Sequence, residues 1–482
     1  MASLEAMEAH FDELLAALSG LSAPERAALL CGRAGDPGWP APPGWAATLL
    51  ALPPLSLGAA ERRGLSALPS ALSAAFPPTL AALCRAVAGA SDGLGIDASA
   101  APAAAEGGGE ARRLAWRQRE EKAEQLRALH AALEARLEGG RLRRVVDVGC
   151  GKGHATAALA AALQLPALGV DRDAKLLNAA RQTYPHVSFE ACDVLAPELS
   201  RCLRDGDLVL GLHPCGALGE AVVSTVAELN RGGERRVSLV MIPCCWHKQG
   251  TPLRPPLSAR ARRARLWLPH AALKKASMAL DSSSSVDARR ARHGLRELLA
   301  RRGVDQASLD RREEMDGIKA AKAKRGLAVL AQEALAKRGL QPARAEEIAE
   351  IERDTAAEFE RIRRLSLLEP LLGEYVELLG LLDRAMCLAE LHKLSKLAVM
   401  LWDKHLVTGS VVLGPNRDIL RQIPNSREGR PCGVTEQNGL NSFKDFKHLA
   451  LCTSGSRESG EPEPELRPLR CKLACNSLAL YR

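Results

Sequence analysis

The sequence predicts an α/β fold: a mostly parallel sheet with helices on both faces, joined by a helical N-terminal region and a helical insertion. Two observations carry this. Between Arg143 and Cys245, short continuous apolar runs alternate with helical stretches. That is the pattern of strands buried on both faces and linked by crossover helices. The first run also passes through a glycine-rich turn directly into a helix, in "RRVVDVGCGKGHATAALAAAL", Arg143 to Leu163. A chain of 482 residues with 46% hydrophobic content can bury a large core, enough for about two or three domains at roughly 100–200 residues each. Aromatics are only 3%, so alanine does much of the apolar work, as suits a helix-rich protein.

Residues 1–97 read as a helical Pro/Ala-rich region. Prolines from "GDPGWPAPPGW" (Gly35–Trp45) to "AAFPPTLAAL" (Ala74–Leu83) keep its helices short. Residues 98–110, "ASAAPAAAEGGGE", have the composition of a flexible linker. A charged helix follows and stops at Gly139 and Gly140. The strands then read "RRVVDVG", "PALGVD", "VSFEACD", "DLVLGLHPCG" and "VSLVMIPCC", separated by helices such as "AKLLNAARQTY" and "ALGEAVVSTVAELN". The α/β domain spans 111–415, interrupted at about 254–364 by a basic helical insertion, and 416–482 read as a disordered tail.

The net charge of +9 fits a polyanionic partner, although charge speaks to association and not to fold. The 13 cysteines lack framework spacing, and the acidic N-terminus "MASLEAMEAHFDELLAALSG" resembles neither a signal nor a transit peptide. Reduced thiols in a cytoplasmic or nuclear protein are therefore expected. No apolar run approaches the ~18–20 residues that a membrane span needs.

The glycine turn raises the question of its ligand. A triphosphate loop would need glycine at Val146 and Ser or Thr after Lys152, where Gly153 stands. A dinucleotide loop would put its third small residue at His154. What stands here is Asp147, then Gly149, Gly151 and Gly153. This Asp-x-Gly-x-Gly-x-Gly pattern resembles that of the class I S-adenosylmethionine-dependent methyltransferases. The resemblance implies a Rossmann-like fold and S-adenosyl-L-methionine as cofactor. Asp147 near the turn can accept from the ligand's ammonium, directly or through water. Asp171 ends the second strand, 20 residues beyond Gly151, where a carboxylate can take both ribose hydroxyls. Asp193 ends "FEACD", where methyltransferases commonly hold the adenine amino group.

Ligands of a doubly wound sheet bind beyond the carboxyl ends of its strands. The fourth and fifth strands end in "GLHPCG" (Gly211–Gly216) and "IPCCWHK" (Ile242–Lys248), so His213, Cys215, Cys244, Cys245 and His247 are expected to converge. His213, Cys215, Cys244 and His247 are the catalytic candidates. A histidine can serve as general base for a hydroxyl or amine. Cys215 or Cys244 can attack C6 of a pyrimidine so that C5 is methylated. Two His and three Cys can make a zinc shell, and buried thiols can simply pack. "GLHPCG" followed by "PCC" also resembles a domain family found in methyltransferase-like and glutathione S-transferase C-terminal domain-containing proteins. Related Cys-rich strand ends occur in a tRNA ribose 2′-O-methyltransferase family. The resemblance covers roughly Arg112 to Asp418 and does not settle the substrate.

Between Thr251 and Ala300 there are 11 Lys/Arg against 3 Asp/Glu, densest in "SARARRARLW", Ser258–Trp267. Arg260, Arg262, Arg263 and Arg265 are therefore candidate phosphate contacts. The expected acceptor is RNA, of the tRNA or rRNA kind. The sparse aromatics argue against recognition by base stacking. A protein methyltransferase and a non-catalytic binding scaffold that retains the fold are the alternatives.

Overall fold

The computed structural model describes residues 3–94 (except 35, 37, 38 and 40), 142–231, 235–277, 286–304, 318, 320–390, 398–401 and 410–413. The expected linker, charged helix and C-terminal tail lie outside the described residues.

The chain opens with six helices: α1 (Leu4–Ala17), α2 (Ala23–Cys31), α3 (Trp45–Leu50), α4 (Pro54–Arg63), α5 (Ser70–Ser73) and α6 (Pro78–Gly93). Prolines start or precede three of them and keep α3 to α5 short, as their φ and missing N–H dictate. The sheet follows as β1 (Arg144–Val148), α7 (His154–Leu163), β2 (Ala167–Asp171), α8 (Ala174–Thr183), β3 (Ser188–Ala191), α9 (Leu199–Cys202), β4 (Asp207–Cys215), α10 (Ala217–Arg231) and β5 (Ser238–Cys244). Asp173 caps α8, its carboxylate accepting from the N–H groups of Lys175 and Leu176.

Next come β6 (Leu253–Arg254), α11 (Ala259–Arg263), β7 (Leu268–Pro269), α12 (His270–Ala276), α13 (Val286–Arg301), α14 (Ala320–Ala323), α15 (Leu327–Lys337), α16 (Ala345–Leu365) and α17 (Leu368–Glu390). Helix thus continues past residue 364, where the charged pattern of the insertion ends, because α17 is apolar enough to be core. β8 (Ala398–Leu401) and β9 (Ser410–Leu413) complete the sheet.

The strand order is β3-β2-β1-β4-β5-β8-β9, parallel throughout except for β9. The mostly parallel, Rossmann-like fold expected from the sequence is therefore present. Its direction of winding reverses between β1 and β4, which places the ligand crevice beyond the carboxyl ends of those two strands.

The N-terminal helices are not a separate body. Phe11, Leu14, Trp45 and Leu80 share one apolar core with Val146, Val209 and Met241 of the sheet and Leu378, Leu379 and Leu382 of α17. A second core lies on the other sheet face around Val145, Leu177, Leu210 and Val240. Helices α13, α15 and α16 enclose a third, with Leu295, Leu298, Leu330 and Ile351. Among the described residues no helix is long and apolar enough to cross a membrane.

Candidate active site

The turn after β1 is sewn to the end of β2. The N–H groups of Gly149 and Cys150 both donate to the Val170 carbonyl, at 2.8 and 3.1 Å. The N–H of Gly151 donates to Asp171 Oδ2 at 2.9 Å. Gly149, Gly151 and Gly153 have φ of +75°, +56° and +73°, the left-handed region that disfavours a side chain. Their surroundings differ. A Cβ on Gly153 would lie 2.5 Å from the Phe189 ring, so this glycine lets α7 approach β3. A Cβ on Gly151 would meet nothing within 4 Å. Gly151 thus borders open space at the switch point, a cradle with bare backbone as its floor.

These two glycines should separate in the laboratory. Gly153→Ala is expected to cost about 2 kcal/mol more stability than Gly151→Ala, since only the former overpacks a ring. Chemical denaturation of both variants reads the difference, and equal losses would contradict the assignment.

Three acids were expected around this cradle, and the structure gives each a different setting. Asp147 is buried to 2% exposure and accepts from the Thr156 hydroxyl at 2.6 Å. Burial pushes its carboxyl up to about 6, against the Thr156 hydrogen bond and with help from the charge of Asp171. Buried this deeply, Asp147 braces β1 against α7. Asp171 is half-buried, and its two oxygens accept from the Gly151 and Asp173 N–H groups, both at 2.9 Å. Each carboxylate oxygen keeps a further lone-pair site. Asp193 is exposed and lies two residues beyond the end of β3, its Oδ1 accepting from the Leu195 N–H at 3.0 Å. The strand reading "VSFEACD" was therefore too long at its carboxyl end. The Cys150 thiol, in the loop itself, is pushed up to about 12 by burial and then by the charges of Asp147 and Asp171.

At the carboxyl ends of β4 and β5 the backbone is strained. The β4–β5 register shifts between Leu212 and Cys215, a bulge that holds His213 at φ +57°. Cys245 has φ +44°. Non-glycine residues at such angles cost about 1–2 kcal/mol each and cluster where function requires them. The register sets Cys215 beside Cys244, whose side chain lies outside the description. The two strand ends are locked by the Lys248 carbonyl, which accepts from the Ala217 N–H at 3.0 Å. Gly216 permits that approach, because a Cβ there would sit 1.9 Å from the same oxygen.

His247 turns toward α12. Its Nδ1 is 3.0 Å from Ser277 Oγ, and its ring is 5.8 Å from that of His270. The Ser277 hydroxyl donates its single proton to the Leu273 carbonyl at 3.0 Å. His247 Nδ1–H must then be the donor to Ser277, leaving Nε2 as the basic nitrogen of the neutral ring. Burial lowers the His247 pKa, and the charges of His270, Lys248 and Lys274 lower it further. Among the described residues no group of three or more His, Cys, Asp or Glu is arranged to hold a metal.

One feature of the site escaped the sequence reading. Trp246 is fully buried behind the strand ends, with the Arg384 guanidinium 4.0 Å from its ring centre and its Nε1–H donating to Glu377 at 3.3 Å. Arg384 and Arg254 both grip Glu220, each with an N–H at 2.8 Å from Oε1. Arg254 also donates to Asp383 at 2.7 Å. Two arginines and two acids balance in a dry cluster. Burial alone would raise the Glu220 pKa, but the charges of Arg254 and Arg384 hold it down at about 2. The signal was an Asp-Arg pair, Asp383–Arg384, inside the otherwise apolar stretch Leu378–Ala389 of α17.

The expected arginine patch is partly engaged. Arg260 pairs with Asp12 of α1, Arg263 lies 3.7 Å from Glu8, and an Arg262 N–H donates to the Leu257 carbonyl.

Residues 116–251 match the family model described as "Methyltransferase domain". No curated protein matches the chain. Among solved structures, a TehB-like SAM-dependent methyltransferase from Corynebacterium glutamicum is 26% identical, over 25% of this chain and 70% of that one, with a TM-score of 0.18. The bifunctional kinase-methyltransferase WbdD is 21% identical over 26% of this chain and 28% of its own, with a TM-score of 0.17. PKMT2 from Rickettsia typhi is 14% identical over 44% of this chain and 38% of its own, with a TM-score of 0.18. The glycine turn, β2 to β5 and the locked ends of β4 and β5 all fall within the span that matches the methyltransferase-domain model.

Proposed function

We propose that the protein is an S-adenosylmethionine-dependent methyltransferase whose acceptor is RNA, of the tRNA or rRNA kind. The open cradle at Gly151, with the half-buried carboxylate of Asp171 beside it, carries the cofactor part of this reading. The bound cofactor supplies an electrophilic methyl group. Asp171 takes the ribose hydroxyls with its remaining lone pairs, Asp193 the adenine amino group, and the bare loop backbone admits the methionine portion. Asp147 holds the loop in shape and reaches the ammonium through water.

His247 is the best-placed general base among the four catalytic candidates, because Ser277 fixes its tautomer, and burial followed by its cationic neighbours favours the neutral ring. It removes the proton from an acceptor hydroxyl or amine as that group is methylated. His213, Cys215 and Cys244 shape the pocket around the acceptor. The neighbours that lower the His247 pKa, His270, Lys248 and Lys274, also support a polyanionic acceptor, since all three are exposed cations or potential cations at this mouth.

Incubation with methyl-labelled S-adenosylmethionine and either total RNA or total protein tests this directly. Label is expected in RNA. Label in protein would favour a protein methyltransferase, and label in neither would favour a scaffold. A second test uses the variant with Arg260, Arg262, Arg263 and Arg265 all replaced by glutamine. Two of these already face Asp12 and Glu8. The log–log salt slope of RNA binding should therefore shrink by about 1.4, two phosphate contacts at about 0.7 each on a single strand. An unaltered slope would remove this segment from the interface.

A further inference from the structure

The segment that leaves β5 folds into a two-stranded antiparallel ribbon, β6 with β7, in which Leu253 pairs with Pro269 and Arg254 with Leu268. Directly opposed residues share a face. One face is buried and anchored: Leu268 is 2% exposed, and Arg254 is fully buried in the cluster with Glu220 and Asp383. The other face is presented outward. Leu253 is 43% exposed and Trp267, flanked by the buried Leu266 and Leu268, is 53% exposed. An indole held out from a rigid ribbon in this way is unusual for a side chain so large and apolar.

What surrounds it identifies the occupant. Arg262, Arg263 and Arg265 lie two to five residues before it and are exposed, and the exposed His270 and Lys274 follow it in the chain. His270 is three residues from Trp267 and its ring touches that of His247. Three residues span at most about 11 Å of extended chain, so the backbone that carries the indole lies within that reach of His270, the ring neighbour of the proposed base. Exposed basic residues on both sides of it in the chain favour an anionic partner over another protein's apolar core. A flat aromatic ring flanked by arginines suits a planar, apolar-faced group on an anionic backbone.

We propose that Trp267 is a stacking platform for a nucleobase of single-stranded RNA flanking the methylated residue. This rests on the RNA reading above and goes beyond it by assigning a base-binding subsite outside the cofactor cleft. It also amends the expectation, drawn from the 3% aromatic content, that stacking plays no part. One correctly placed ring is enough to hold one base.

The test compares a single-stranded RNA 12-mer with an abasic 12-mer of the same charge. It uses the full chain and its Trp267→Ala and Trp267→Phe variants. Trp267→Ala should bind the base-bearing RNA about 10-fold more weakly, stacking being worth about 1–3 kcal/mol per base. Its affinity for the abasic strand should be unchanged, and Trp267→Phe should recover most of the loss. An unchanged thermal midpoint is expected for both variants, because the ring is exposed. If the intact protein binds RNA and Trp267→Ala binds it equally well, the platform is wrong and the RNA reading stands. Equal weakening for both strands would likewise overturn stacking. If the intact protein binds neither strand, the RNA reading falls and the platform with it. Concentration-dependent self-association abolished by Trp267→Ala would instead assign this face to a second copy of the chain.

Discussion

Glu220→Ala should cost about 3–5 kcal/mol of stability, the range for breaking a buried ion pair by removing one partner. The carboxylate it deletes is gripped by both Arg254 and Arg384, which are 0% and 1% exposed. Its loss leaves two buried guanidinium groups facing the single charge of Asp383. Against total stabilities of about 5–15 kcal/mol, that is a large fraction. Combining Glu220→Gln with Arg384→Met should be milder than Glu220→Ala alone, since the remaining Arg254–Asp383 pair is balanced. The pH dependence has a definite sign. Glu220 is held at about 2 in the folded chain against an ordinary 4.5, so its contribution is complete above pH 4.5. It is lost as pH falls toward about 2, and amounts to about 3 kcal/mol at about 1.4 kcal/mol per pH unit. Urea denaturation at pH 7 and pH 3 should therefore show wild type and Glu220→Ala converging on acidification. Parallel curves would mean the carboxylate is not the paired charge.

Asp171→Ala should weaken S-adenosylmethionine binding by about 1.5–3 kcal/mol, the range for hydrogen bonds to a charged group. The side chain has two duties. In the proposed complex it offers lone pairs to the ribose, and its Oδ2 holds the Gly151 N–H at 2.9 Å, fixing the turn that forms the cradle floor. Asp171→Asn should keep the second duty through its carbonyl oxygen and lose part of the first, so an intermediate affinity is expected. Isothermal titration of the three proteins reads the series. Equal affinities would separate Asp171 from the ligand.

The glycine turn was legible in the sequence because its constraint is local. Positive φ at Gly149, Gly151 and Gly153 demands glycine whatever the rest of the chain does. The five strands were legible because burial on both faces leaves continuous apolar runs, as in "DLVLGL" and "SLVMI". The union of the N-terminal helices with α17 was not, since Phe11 and Leu379 enter one core from distant parts of the chain and no local signal announces it. Nor was the Glu220–Arg254–Arg384 cluster, whose members are scattered over two helices and a short strand, with only the Asp383–Arg384 pair in an apolar stretch as a local signal. The catalytic candidates fell between these cases. Their positions at strand ends follow from topology, but the turn of His247 toward Ser277 depends on a helix 30 residues away.

In the proposed complex the turn around Gly151 receives S-adenosylmethionine. Calorimetric titration of the intact chain with S-adenosylmethionine and with NAD, repeated on Gly151→Val, tests it most directly. Saturable one-to-one binding of S-adenosylmethionine is expected, with no heat from NAD. Gly151→Val, strained by about 1–2 kcal/mol or more at φ +56° but with no protein atom within 4 Å of its Cβ, should abolish that binding while the chain stays folded by circular dichroism. Binding of NAD in preference, or undiminished S-adenosylmethionine binding by a folded Gly151→Val, would contradict the account.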